Sequence, residues 1–135
     1  MTVTTQQTDA SHFEKCLITH CSPVLAGIKS ANLMNITVTA PQCFLEMLLS
    51  YDRTLREKGV SVTLLRYENH RALVYVYRKQ KLLKELRKPG VAEFLQAQGY
   101  SSLELEALLS RLRERLQTQE EFPHEIGLFL GYPLH

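Results

Sequence analysis

The stretch Ala72-Leu73-Val74-Tyr75-Val76-Tyr77 constrains this chain more than any other. Successive side chains of a strand point to opposite faces. Here Leu73, Tyr75 and Tyr77 fill one face, and Ala72, Val74 and Val76 fill the other. Neither face suits water, so the strand belongs at the centre of a sheet. Just upstream, Val60, Val62 and Leu64 alternate with Ser61 and Thr63, and Asn69-His70 separates the two runs. Asn tolerates the positive φ of a tight turn, so the pair reads as an antiparallel hairpin. A third strand is expected over Leu33–Thr39, which alternates apolar and polar residues and is rich in β-branched side chains.

Helical periodicity fills the rest. Ser11, with Glu14 three residues on, reads as a capping box for a short helix carrying Phe13, Cys16, Leu17 and His20, with Pro23 as its end. Pro41 suits the first turn of a helix whose stripe is Phe44, Leu45, Leu48, Tyr51 and Leu55, and Gly59 supplies its stop. Beyond the hairpin come a Leu82-Leu83-Leu86 stripe ending at Pro89-Gly90 and a Val91-Phe94-Leu95 stripe ending at Gly99. The longest helix carries Leu105, Leu108, Leu109, Leu112 and Leu116 behind a Ser101/Glu104 capping box, and a short segment runs from Pro123 to Gly131. A β-α-β-β core followed by four short helices is an α+β fold, with helices packed on a small sheet containing antiparallel strands. Residues 1–10 read as a flexible tail and residues 11–135 as a single domain.

A domain of 135 residues, 44% of them apolar, builds an ordinary core without metals or disulfides. Sixteen basic residues face fourteen acidic ones. So small an excess does not point to nucleic acid or an anionic membrane. No signal peptide and no apolar run of about twenty residues is visible, so a cytoplasmic protein is expected. The cysteines, Cys16, Cys21 and Cys43, are odd in number and form no C-x-x-C, so neither a disulfide framework nor a metal site is assigned.

Two segments are unusual for simple packing: HCSPVLAGIKSANL from His20 and FPHEIGLFLGYP from Phe122. Both set isolated polar groups among Gly, Pro and apolar residues, a pattern that lets backbone approach a ligand or another chain. His20, Cys21, Lys29, Asn32, His124, Glu125 and Tyr132 are the candidate binding residues, with Phe122 and Phe129 as further aromatic walls. Each has a plainer reading. Cys21 reads as a buried core cysteine, Lys29 as a solvated lysine, and Glu125 as a complement to a helix dipole. The last segment reads equally well as a closing core helix. The basic run Arg78, Lys79, Lys81, Lys84, Arg87 and Lys88 reads as one solvated helix face.

With the RALVYVYRKQKL junction, these two segments resemble the bacterial domain-of-unknown-function family numbered thirty-seven ninety-three, across residues 12–134. That family is found mostly in anaerobic Firmicutes and carries no assigned activity. Its members generally continue past the GYPL motif into a segment with several cysteines and a Gly-Tyr-Trp-Lys stretch. The sequence here stops at His135, so no metal or redox role resting on such cysteines is carried over.

The function expected from these residues is that of an accessory protein binding an unidentified small molecule or protein partner through the two segments. The alternative is a small thiol-dependent enzyme using Cys21 with His20 or His124. No cofactor and no catalytic residue is assigned, nucleic acid is not indicated, and the oligomeric state is not read.

Overall fold

The computed structural model describes residues 10–118 and 121–132. The expected tail, apart from Ala10, lies outside them. The elements are α1 (Ala10–Leu25), β1 (Ala31–Thr37), α2 (Pro41–Arg56), β2 (Ser61–Glu68), β3 (Arg71–Tyr77), α3 (Lys79–Leu86), α4 (Pro89–Ala97), α5 (Leu105–Thr118) and α6 (Ile126–Phe129). The three strands form one antiparallel sheet in the order β1-β3-β2. The fold is α+β, as the sequence indicates.

β3 is central, and its two apolar sets serve two cores. Ala72, Val74 and Val76 pack with Phe13, Leu17 and Val24 of α1 and with Phe44 and Leu48 of α2. Leu73, Tyr75 and Tyr77 pack with the leucines of α3 and α5, with Leu95 and Tyr100, and with Phe129 of α6. Helices therefore cover both faces of the sheet. The hairpin turn has φ of 52° at Asn69 and 62° at His70, the paired left-handed geometry of a two-residue turn.

Four expectations are corrected. Pro23 does not end α1, which runs on to Leu25. The stop is Gly27, at φ +79°: Ile28 N–H donates to the Pro23 carbonyl at 2.8 Å and Gly27 N–H to that of Val24 at 3.0 Å. That paired closure needs a left-handed residue, which glycine adopts without steric cost. Second, Ser11 lies inside α1 rather than ahead of it.

Third, α5 begins one turn later than a Ser101/Glu104 box requires. Arg87 donates to the Leu103 carbonyl and holds that backbone out of the helix, while Ser102 Oγ accepts the Glu104 N–H at 3.2 Å. Glu104 turns to Arg87 instead, 3.6 Å away. Fourth, Arg78 is no solvated member of a basic face. Its guanidinium donates to the carbonyls of Val24, Leu25 and Lys58, tying together the ends of α1 and α2.

One irregularity was invisible in the alternation of β2. The register slips between Leu64 and Arg66, and the extra residue, Leu65, turns into the α5-side core at 2% exposure. A bulge of this kind re-aims the side chains beyond it. Arg66 now reaches the Leu116 carbonyl at 3.2 Å.

Candidate functional site

The two Gly/Pro-rich segments meet at their ends. The first contributes the loop after Gly27, and the second contributes α6 and the turn after it. Lys29 Nζ stands 5.0 Å from the centroid of the Tyr132 ring, within cation–π range. Next to that contact, Ser30 lies against Gly131, whose φ is +89°. A Cβ on Gly131 would sit 2.5 Å from Ser30 Oγ and 3.5 Å from Glu85 Oε1. Glycine is therefore required there twice over, by conformation and by space.

Ser30 Oγ and Glu85 Oε1 are both buried, and among the described residues neither has a hydrogen-bond partner. Buried polar atoms are rarely left unpaired, and each one calls for an explanation. Glu85, Lys88, Gly131 and Tyr132 also line a cavity of about 350 Å³, with Leu86 and Leu128 as apolar wall. Ser30 is not part of the lining and sits behind Gly131. A hydroxyl and a carboxyl oxygen at the edge of such a space can accept hydrogen bonds from N–H groups if the wall gives way, and Lys88 can donate to an oxygen.

The other candidate residues are placed differently. Cys21 is fully buried, and burial pushes its thiol up to about 12, a shift that the charge of Lys29 only partly offsets. A thiol so placed is almost wholly protonated near neutral pH and offers little thiolate for attack. Asn32 is engaged within the fold: its amide donates to the His20 carbonyl, and its Oδ1 accepts the Leu33 N–H at 3.0 Å. His20 is half-buried beside it. His124 is exposed and, among the described residues, makes no hydrogen bond, ion pair or ring contact with the other candidates.

Glu125 faces inward and is fully buried. Arg115 grips it with two hydrogen bonds, Nε to Oε2 at 2.7 Å and Nη2 to Oε1 at 3.0 Å, and the Tyr100 hydroxyl donates to Oε2 at 2.9 Å. Burial alone would raise the Glu125 carboxyl. The hydrogen bonds from Arg115, from its own backbone N–H and from Tyr100, together with the Arg115 charge, outweigh burial and hold it below the usual carboxylate range. Its oxygens are occupied by the protein's own groups, so it ties the chain ahead of α6 to α5 and to Tyr100. The Tyr75 hydroxyl reinforces that tie by donating to the Phe129 carbonyl.

Sequence reasoning missed Ser30 and Glu85. Ser30 lies inside the first segment beside Lys29, which was a usable signal. Glu85 sits among the basic residues of a helix whose polar face reads as solvated, and nothing local marks it.

The model of a family described as proteins of unknown function, DUF3793, matches residues 17–135. The chain belongs to that family. The match takes in both segments of this DUF3793 chain and the β3–α3 junction between them. No curated protein and no solved structure matches it. Among the described residues of the DUF3793 chain, no three His, Cys, Asp or Glu side chains gather to hold a metal ion, and no helix is long and apolar enough to cross a membrane.

Proposed function

We propose that this DUF3793 protein is a cytoplasmic binding protein of anaerobic bacteria that takes a small ligand, or an exposed peptide group of a partner, where its two Gly/Pro-rich segments meet. One observation carries the reading: Ser30 Oγ and Glu85 Oε1 are buried without partners among the described residues, beside a cavity of about 350 Å³. Glu85 lines that cavity, and Ser30 lies behind Gly131 at its edge. Lone acceptors so placed fit an occupant that brings N–H donors, and Lys88 in the lining fits a carbonyl or carboxylate on the same occupant. Lys29 and Tyr132 flank it. The thiol-dependent alternative finds no support in the geometry of Cys21.

The test uses N-acetylglycinamide, a neutral molecule with N–H donors and carbonyls, titrated into isotope-labelled protein. Saturable shifts are expected at Ser30, Gly131 and Tyr132, and they should disappear in Ser30→Ala. That variant should melt no lower than wild type, and higher by about 1 kcal/mol of stability, since it deletes a desolvated hydroxyl that bonds nothing. Absence of saturable shifts, or a Ser30→Ala variant less stable than wild type, would sink the reading. The second result would make the hydroxyl part of the fold's own bonding.

A further inference from the structure

A second and larger cavity, of about 730 Å³, opens at the end of the sheet where β2 begins and β3 ends, bounded by α2, α3 and α5. No described residue lines both cavities. Its volume falls in the range of sites that enclose a small organic ligand.

The charge around it is positive and held in place. Arg113 is fixed by the Leu64 carbonyl at 3.0 Å and by Thr63 Oγ1 at 2.9 Å. Arg78 is fixed by three carbonyls. Neutral acceptors orient these guanidiniums without cancelling their charge, and each keeps N–H groups free because a guanidinium carries five. Lys79 and Lys81 also line the cleft, and among the described residues neither has an ion-pair partner. On the acidic side, Asp52 is already engaged by Arg56 and by the Val62 N–H, which leaves Glu106. Two hydroxyls, from Ser61 and Tyr77, lie across the strand pair at the cleft, and Leu49, Leu105 and Leu109 give it an apolar wall.

We propose that this cleft binds a small phosphomonoester with an apolar or aromatic body. The preset arginines and unpaired lysines receive the phosphate, for which guanidinium geometry is suited. The leucine wall takes the body.

The experiment titrates phenyl phosphate, inorganic phosphate and benzyl alcohol separately into the isotope-labelled full chain. Phenyl phosphate should give saturable shifts at Ser61, Tyr77, Lys79 and Gln80, and should bind more tightly than either of the others. Lys79→Ala combined with Lys81→Ala should weaken it about tenfold, the loss expected for two partly screened charges. Lys15→Ala combined with Lys84→Ala changes net charge equally, at exposed positions lining neither cavity, and should leave affinity unchanged. Equal losses in the two double variants would reduce the effect to general charge and overturn the site. So would equal affinity for inorganic phosphate, or shifts confined to other residues. A short DNA duplex binding more tightly than phenyl phosphate at physiological salt would overturn it too.

Discussion

Glu125 shows how a residue's role is set by partners far away in sequence. Its bonds come from Arg115 on α5 and from Tyr100 in the loop ahead of α5, and no local spacing announces them. A carboxylate next to a helix start reads as a dipole partner, and only the fold reveals an enclosed ion pair. Cys21 was legible because its neighbours Val24 and Leu25 already describe a core. The ion pair has a pH signature. A carboxyl whose folded value is depressed contributes fully above its unfolded value, near 4.5, and that contribution is lost as pH falls through the folded value. Glu125→Gln is expected to cost about 3 kcal/mol near neutral pH, because it leaves the Arg115 charge without its counterpart. The gap from wild type should stay level above about pH 5 and narrow below about pH 4. Urea melts across that range measure it. A gap that widens in acid would show the carboxyl raised and not lowered.

At the scale of elements, sequence and structure agree where periodicity is strong and part where one residue overrides it. The central strand, the hairpin turn and the leucine stripes of α3 and α5 follow from spacing alone. Pro23 misled because a proline near the end of a helix leaves only one carbonyl without its bond. Val24 in the core and the Gly27 closure hold the last turn regardless. The bulge at Leu65 was hidden for another reason: adjacent leucines satisfy either face, so the slip leaves no trace in the pattern. The turn invites a direct test. His70 holds φ at 62°, where a side chain is disfavoured and glycine is not. Its side chain is exposed, and its backbone bond from Val38 N–H survives substitution. His70→Gly should therefore raise stability by about 0.5–1 kcal/mol once the backbone entropy of glycine is counted. A thermal melt that moves down would contradict the turn geometry.

Across the whole molecule, the α+β class was legible, while the division of helices between two faces was not, because stripes show that a helix packs but not against which side. That division sets the fate of the thiols. Cys16 and Cys21 lie in the core shared by α1, α2 and the sheet, and Cys43 is exposed on α2. A disulfide reagent near neutral pH should label one cysteine promptly. The other two should respond only as fast as the fold opens, and in step with each other across a denaturant series. Prompt labelling of a second thiol would break that expectation. The strand order β1-β3-β2 has a consequence for synthesis. A ribosome that has delivered the chain through Glu68 has made both outer strands and no sheet, since each pairs only with Arg71–Tyr77. Until that stretch of seven residues leaves the exit tunnel, Met34, Ile36, Val62 and Leu65 have no strand to lie beside. When it emerges, one segment closes both pairings, and a nascent chain stalled just before it would carry every residue of α1 and α2 without the central strand whose Ala72, Val74 and Val76 complete their core.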